Sequence, residues 1–205
     1  MRPTGERTLA GHMAALGRKV FTSRELAAVS GRSGSVVSQG LAFLARQGQA
    51  VKIGHGLWAA GAGLPGQYEV VPYLLPKQRV YVSFTSALHL HGVVGQIPQV
   101  VTLASTSHSR ALATRAGNFV LHHLAPGMFR GFEWDAGRGF PLASPEKALV
   151  DCLYISAFRK KRFSYFPELD LSGLDRKKAA GWAAFVKNPM ARAHVLKRLA
   201  ELRRP

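Results

Sequence analysis

The fold of the N-terminal part of the chain is decided by residues 21–60, which read FTSRELAAVSGRSGSVVSQGLAFLARQGQAVKIGHGLWAA. Thr22 and Glu25 have the spacing of a capping box, in which each side chain bonds a free backbone N–H at the start of a helix. Residues 30–33 read SGRS, a composition that favours a turn. The stretch therefore predicts a short helix that starts after Thr22 and ends at a tight turn.

A longer helix is predicted directly after that turn. Ser33 is a suitable N-cap, and Gly48 is typical of the residue that follows a helix. The apolar positions of one helical face are Val37, Leu41 and Leu44. The helix therefore has a face for burial, and Ser35, Ser38 and Gln39 point away from it.

A further helix precedes this pair and a hairpin follows it. Upstream, Leu9, Met13 and Leu16 share one helical face. Downstream, residues 51–53 and 57–59 have the pattern of two short strands around a glycine-containing turn. Helix, helix, tight turn, helix and hairpin is the element order of a winged helix-turn-helix domain, which we place at residues 1–62.

Such a domain binds double-stranded DNA by placing one helix in the major groove, where polar side chains contact base edges. On the hairpin, Lys52 and His55 would reach the DNA backbone. The predicted DNA-binding residues are Arg24, Arg32, Ser33, Ser35, Ser38, Gln39, Lys52 and His55. A small helical domain that docks another protein is the alternative interpretation of the same pattern.

A linker and a second domain follow. Residues 60–66 read AGAGLPG, which predicts a linker, and we place the second domain at residues 63–205. Its pattern mixes β-rich runs at 79–84, 100–103 and 119–124 with helices at 86–91, from Pro145, and in one or two pieces across 176–204. The predicted fold class is α+β: an N-terminal winged helix-turn-helix followed by a mixed α/β domain with a helical C-terminal tail.

The charge balance predicts a polyanionic partner. The chain carries 28 Lys and Arg against 11 Asp and Glu, a formal net charge of +17. Since 47% of its residues are hydrophobic, wholesale disorder is excluded. The basic and acidic residues number 8 and 2 in residues 1–62, 11 and 5 in 63–163, and 9 and 4 in 164–205. Because the excess is spread along the chain, we expect both domains to meet a polyanion.

Compartment and membrane contact are predicted from what the chain lacks. The longest run without a charged residue, 80–109, contains histidine, glycine and proline, which argue against a spanning helix. No apolar run of a signal peptide follows Arg2 and Arg7. The single cysteine, Cys152, cannot form an intramolecular disulfide and fits a reducing compartment. The expectation is a cytoplasmic protein with no membrane partner.

Three segments of the second domain carry a family resemblance. They read FTSALHLHG at residues 84–92, QIP at 96–98 and ASPEKALVD at 143–151. Together with the N-terminal pattern they resemble the AbiEi antitoxin family of abortive-infection, type IV toxin–antitoxin systems, over roughly residues 5–160.

The resemblance implies a winged helix followed by an α/β antitoxin domain. It also implies two activities: repression of the protein's own operon at inverted repeats in the promoter, and neutralisation of a cognate nucleotidyltransferase toxin. On this interpretation the partners are promoter DNA and that toxin, the protein is not an enzyme, and it needs no cofactor. A regulator whose second domain senses a ligand or protein is an alternative.

Histidines are the candidate metal ligands. They form two pairs, His89 with His91 and His122 with His123, and a site would need both pairs to converge with Glu133 or Asp135. Imidazoles two positions apart do not share a helix face. Packing and surface roles are therefore preferred, and no metal site is predicted.

Glu146 and Lys147 invite comparison with the carboxylate–lysine sites of metal-dependent nucleases. Such a site needs a second acid, and Asp151 lies away from Glu146 on the predicted helix. A capping role for Glu146 is preferred, and no catalytic residue is predicted. The alternative from this class is a metal-dependent nuclease or nucleic-acid-modifying enzyme with a winged-helix targeting domain.

The densest basic run is a candidate second nucleic-acid patch. It consists of Arg159, Lys160, Lys161 and Arg162. Aromatic residues flank it, as in surfaces that bind phosphates and stack on bases. A solvated loop is the equally consistent alternative.

Overall fold

The structure of the protein is a computed structural model that describes residues 7–158, 163, 166 and 168–202. These residues form eight α-helices, one 3-10 turn and two β-sheets, so the predicted α+β class is confirmed. Within this part of the chain, none of the helices combines the length and the apolar character that a membrane crossing requires.

Contacts divide the described residues into two units. The first extends to Leu74 and also includes Thr114–Gly117, and the second comprises the remaining residues. The division falls further along the chain than the boundary that the glycine-rich linker predicts at residue 62. Residues after the linker group with the first unit because, for example, Tyr73 stacks under Arg18, whose guanidinium lies 5.1 Å from the ring centroid.

The first unit contains four helices around a small antiparallel sheet. Its elements in chain order are α1 (Leu9–Ala15), β1 (Val20–Thr22), α2 (Ser23–Ser30), α3 (Gly34–Arg46), β2 (Ala50–Gly54), β3 (Leu57–Ala60) and α4 (Val71–Leu74). The sheet order is β1-β3-β2, so β1 pairs with the hairpin on the side of β3. The sequence pattern does not predict β1, because a three-residue strand is too short to show alternation.

The helix ends of the first unit follow the predicted capping pattern. Thr22 Oγ1 accepts the Glu25 N–H at 3.1 Å, and the Glu25 carboxylate accepts the Thr22 N–H at 2.8 Å. Gly31 then ends α2 at a φ of 65°, in the left-handed region that glycine tolerates. Ser33 caps α3 by accepting the Val36 N–H at 3.4 Å. These caps place α2 and α3 on either side of a tight turn, as predicted.

The core of the first unit is the predicted apolar stripe. Val37, Leu41 and Leu44 of α3 are buried together with Phe21 and Leu26, and α1 contributes Leu9 and Met13. Helices α1 and α3 approach closely where Gly40 faces Leu9, since a Cβ atom built on Gly40 would collide with the Leu9 side chain. A methyl group at this position would require the end of the Leu9 side chain to move.

The second unit contains a six-stranded mixed sheet and four α-helices among the described residues. Its elements are β4 (Val80–Val82), α5 (Phe84–Leu90), β5 (Val101–Ser105), β6 (Arg110–Thr114), β7 (Gly117–His123), a 3-10 turn (Pro126–Met128), β8 (Phe132–Asp135), β9 (Phe140–Ala143), α6 (Pro145–Phe158), α7 (Arg176–Ala183) and α8 (Pro189–Glu201). The sheet order is β6-β7-β5-β4-β9-β8, so β6 and β8 are the outer strands within the part of the chain that the structure describes.

Most of the predicted elements of the second unit are present. The helix from Pro145 is α6, and the predicted tail forms two helices with Pro189 in the first turn of the second. The prediction for Phe84 is wrong. The sequence pattern places this residue at the end of a strand, whereas it is the first residue of α5. It is fully buried at a φ of 57°, and neither glycine nor proline marks the turn in the sequence.

Candidate functional site

The exposed face of α3 is the first candidate site. Ser35, Ser38 and Gln39 are exposed, whereas Val37 and Leu41 of the same helix are fully buried. This separation follows from the helical repeat, because the α2 and α1 side chains cover only one side of α3. The predicted polar face is therefore free to contact a partner.

Two predicted contact residues at the start of α3 are engaged within the unit. Ser33 Oγ caps α3 and also lies 3.0 Å from Ser35 Oγ, so its hydroxyl stabilises the helix start. Arg32 is half-buried, and its Nη2 donates to the Arg7 carbonyl oxygen at 3.3 Å. Arg24 lies exposed in the first turn of α2. Arg24 is therefore exposed to solvent, whereas Arg32 is held by a hydrogen bond to the backbone.

Three further α3 residues, which are not among the predicted contact residues, belong to this face. Val36 is 48% exposed and Phe43 is 51% exposed, and the Arg46 guanidinium lies 5.9 Å from the Phe43 ring centroid. Val36 and Phe43 are seven positions apart and so share a face. The helical periodicity of the sequence could have indicated this exposure, since Val36 and Phe43 do not lie on the buried stripe of Val37 and Leu41.

The hairpin of β2 and β3 presents the second group of predicted residues. Lys52 and His55 are exposed, and Lys52 Nζ lies 5.9 Å from the Trp58 ring centroid. Arg115 joins them: its N–H donates to the Ile53 carbonyl at 3.0 Å and its Nη1 to the Lys52 carbonyl at 3.4 Å. No local pattern could have found Arg115, because it is far from the hairpin in sequence.

This surface combines hydrogen-bonding, apolar and cationic side chains. Serine and glutamine side chains donate and accept hydrogen bonds, valine and phenylalanine offer apolar contact to a thymine methyl, and arginine and lysine neutralise phosphates. The exposed residues of the first unit therefore include several of the side-chain types that contact bases and phosphates in DNA complexes.

The histidines of the second unit are engaged at separate places. His89 Nδ1 lies 3.1 Å from the Val94 carbonyl oxygen, and His123 Nδ1 lies 3.0 Å from that of Thr106. His122 is buried against the Phe84 ring, with the centroids 4.7 Å apart. Over the described ranges, no three His, Cys, Asp or Glu side chains are grouped as a metal ion would require.

The acidic residues of α6 do not form the paired site considered above. Glu146 is buried, and its Oε1 accepts the Asp175 N–H at 3.2 Å, at the start of α7. The preferred capping role at the start of α6 is therefore wrong, because its carboxylate is turned to the neighbouring helix. Asp151 instead forms a fully buried ion pair with Lys147.

Two hydroxyl groups complete this buried cluster. Ser83 Oγ donates to Asp151 Oδ2 at 2.8 Å, and the Tyr81 hydroxyl donates to it at 3.0 Å. Burial raises the pKa of the Asp151 carboxyl and lowers the pKa of the Lys147 ammonium group, whereas their mutual attraction opposes both changes. Burial and the Asp151 charge also raise the pKa of Tyr81. Enclosed in this way, the cluster ties β4 to α6.

Two further predictions concern α6 and the segment after it. Cys152 is buried, as expected for an inert core thiol, and burial raises its pKa. The basic run of Arg159, Lys160, Lys161 and Arg162 lies outside the described residues.

Comparison of the chain with protein-family models and with curated proteins finds no match.

Proposed function

We propose that the first unit binds double-stranded DNA as a winged helix-turn-helix, with α3 in the major groove and the β2–β3 hairpin on the DNA backbone. The observation that carries the proposal is the two-sided character of α3. One side is anchored by Val37 and Leu41, and the other exposes Ser35 and Gln39. A helix that reads base edges needs this rigid support and a polar outer face.

The roles follow from side-chain chemistry. Gln39 pairs with the N6 and N7 atoms of an adenine, which glutamine contacts in a bidentate manner, and Ser35 and Ser38 bond neighbouring base edges. Phe43 contacts a thymine methyl. Lys52 and His55 position the hairpin on phosphates. The net charge of +17 supports the same interpretation, because counterion release drives binding to DNA.

The resemblance of the second domain extends the proposal. The protein is a cytoplasmic antitoxin that represses its own toxin–antitoxin operon by binding inverted repeats in the promoter. It also opposes a cognate nucleotidyltransferase toxin encoded beside it. The sequence segments at 84–92 and 143–151 support this part. In this proposal the protein acts by binding, without catalysis and without a cofactor.

Selection of binding sites from random duplexes tests the DNA-binding proposal. The full chain is incubated with a pool of randomised duplexes at fixed salt, and the bound fraction is sequenced and re-titrated by fluorescence anisotropy. We expect a single enriched motif with A·T pairs, bound more tightly than a scrambled duplex by a factor of about a thousand or more. Equal affinity for selected and scrambled duplexes would contradict sequence-specific binding.

Growth rescue tests the antitoxin proposal separately. The neighbouring gene is expressed alone and together with the full chain, and colony formation is counted. We expect toxicity from the gene alone and rescue by the full chain. A variant with Gln39→Ala should lose repression of the promoter but keep rescue. If the full chain gives no rescue of a toxic neighbour, the antitoxin role is wrong whatever the DNA result.

A further inference from the structure

Residues Thr114–Gly117 form a turn that belongs to the first unit, although the sequence places it far from the β2–β3 hairpin. The Thr114 hydroxyl accepts the Ala116 N–H at 3.1 Å and donates to the Gly117 carbonyl at 3.0 Å, which closes the turn. Gly117 has a φ of 149°, and a Cβ atom there would lie 3.1 Å from the Gln67 side chain. The turn is therefore held both by its own hydrogen bonds and by a close contact within the first unit.

Strand β2 is irregular at the place where this turn meets it. Its register with β3 shifts between Lys52 and Gly54, so Ile53 is an extra residue on β2, as in a β-bulge. The Ile53 side chain is buried, and its carbonyl oxygen accepts the Arg115 N–H at 3.0 Å. Arg115 Nη1 donates to the preceding carbonyl, that of Lys52, at 3.4 Å. Two consecutive carbonyls of the hairpin thus bond one residue of the turn.

The Arg115 guanidinium presents a positive charge at this position. The side chain is exposed, and its bond to the hairpin uses one of the five N–H donors of the group. Within the part of the chain that the structure describes, no carboxylate forms an ion pair with it. In the sequence, Glu69 is the only acidic residue between positions 26 and 132, and its carboxylate accepts the Gly66 N–H at 2.8 Å. The guanidinium therefore offers its charge and most of its donors to an anion.

A DNA phosphate is the anion that fits a cation in this place. The planar guanidinium donates two parallel N–H bonds to two oxygens of one phosphate. The same hairpin exposes Lys52 and His55, which have phosphates as their proposed partners. Because duplex DNA carries one negative charge per about 1.7 Å of its axis, a hairpin on its backbone faces several phosphates. A cation bonded to that hairpin shares this surrounding.

We propose that Arg115 binds a DNA phosphate beside the hairpin, so that the Thr114–Gly117 turn completes the DNA-contacting wing of the first unit. The proposal rests on the DNA binding proposed for the first unit, and it adds a contact from a segment outside residues 1–62. The backbone bond to Ile53 positions the turn, and the guanidinium neutralises the phosphate.

Salt titrations of the selected duplex test this contact. The full chain and its Arg115→Ala variant are titrated by fluorescence anisotropy at several salt concentrations. Arg115→Ala should weaken binding to selected and scrambled duplexes alike, by about tenfold at low salt, because a charge-assisted bond is lost. It should also reduce the slope of log affinity against log salt by about one unit.

An exposed arginine of the second unit provides the matched control. Arg110 lies at the start of β6, and its Nη2 donates to Gln78 Oε1 at 3.0 Å. Arg110→Ala changes the net charge by the same amount, and we expect it to keep the wild-type slope. Equal slope changes in Arg110→Ala and Arg115→Ala would assign the effect to net charge and overturn the proposed contact.

Two further substitutions separate phosphate contact from support of the hairpin. Arg115→Lys keeps the charge, so the salt slope should stay at the wild-type value. Arg115→Gln keeps an N–H donor for the Lys52 carbonyl but loses the charge, so the slope should fall as in Arg115→Ala. Far-ultraviolet circular dichroism confirms that each variant is folded. A slope retained by Arg115→Gln would mean that the side chain only supports the hairpin, which overturns the proposal.

Ethylation interference locates the phosphate on the DNA. Selected duplexes that each carry one ethylated phosphate are separated into bound and free fractions, and the phosphates missing from the bound fraction are those that the protein contacts. Arg115→Ala should tolerate ethylation at one phosphate that the wild type does not tolerate, and Lys52→Ala at a different one. An unchanged pattern for Arg115→Ala contradicts the contact.

The failure of this contact differs from the failure of DNA binding itself. If the wild type binds the selected duplex and Arg115→Ala keeps the wild-type slope, the Arg115 contact is wrong and DNA binding by α3 and the hairpin stands. If the wild type binds none of the duplexes, both proposals are wrong.

Discussion

The two units place their polar side chains in opposite environments. In the first unit, Gln39 and Lys52 are exposed, and the buried face of α3 is apolar. In the second unit, Lys147 and Asp151 are fully buried, with Tyr81 and Ser83 bonded to the same carboxylate. The contrast teaches that the first unit keeps its polar groups available for a partner, whereas the second uses part of them to fix its own architecture.

We expect the largest effect, a loss of stability, from a substitution that breaks the buried cluster of the second unit. Asp151→Asn leaves the Lys147 ammonium group buried without a counter-charge, which should lower the free energy of unfolding by about 3–5 kcal/mol. Urea denaturation followed by circular dichroism measures this loss. The double variant Lys147→Met with Asp151→Asn should recover a large part of it, because no unpaired charge is left.

An exposed pair provides the control for that experiment. Arg198 and Glu201 lie 3.8 Å apart on the surface of α8, and Glu201→Gln should change stability by about 1 kcal/mol or less. If Asp151→Asn were no more harmful than Glu201→Gln, the buried cluster would not fix the second unit, and the contrast between the units would fail.

The next effect concerns base recognition by the first unit. Gln39→Ala should weaken binding to the selected duplex by about 1–3 kcal/mol and leave binding to scrambled duplexes almost unchanged. Fluorescence anisotropy at constant salt measures both affinities. Gln49→Ala is the matched control, since Gln49 is an exposed glutamine outside α3. Equal losses on both duplexes would show that Gln39 does not contact a base.

Removal of the N-cap of α2 in the first unit should lower the free energy of unfolding by a smaller amount. Thr22→Ala removes the hydroxyl that accepts the Glu25 N–H, and the free energy of unfolding should fall by about 1 kcal/mol. Thermal denaturation measures the shift, and Thr22→Ser should retain most of the stability because the serine hydroxyl caps in the same way. A Thr22→Ser variant as unstable as Thr22→Ala would assign the effect to the lost methyl group.

The smallest expected effect is on the salt dependence of DNA binding, which distinguishes a residue that contacts phosphate from one that contacts a base. Lys52→Ala should weaken binding to all duplexes alike and reduce the slope of log affinity against log salt by about one unit. Titrations at several salt concentrations give the slope. Lys177→Ala changes the net charge equally and lies on α7 of the second unit. An equal slope change in both variants would mean that both units lie on the DNA.

The sequence predicts the first unit better than the second for a physical reason. Local signals such as the Thr22–Glu25 box and the stripe of Val37 and Leu41 determine helices through contacts between near neighbours. The short strands β8 and β9 escape prediction because their sequences, FEWD and FPLA, contain acidic residues and proline, which are poor strand formers. They are stabilised instead by pairing within the sheet.

The candidate sites also differ in whether local sequence or only the folded chain reveals them. The exposure of Ser35 and Gln39 follows from helical periodicity, so the sequence was sufficient to predict it. Arg115 reaches the hairpin only through the folded chain. The Lys147–Asp151 pair has the ordinary spacing of a surface pair on a helix, and only packing against Tyr81 shows that it is enclosed.

Gly40 has a consequence for how this protein can change during evolution or engineering. Glycine inside a helix costs about 1 kcal/mol relative to alanine, so Gly40→Ala is a natural candidate for a stabilising substitution. At position 40 the added Cβ meets the terminal methyl Cδ2 of Leu9, so the gain is realised only when the Leu9 side chain adopts another conformation. A combinatorial library that varies position 40 should therefore vary position 9 with it, so that the side chain at position 9 can adapt to an added Cβ.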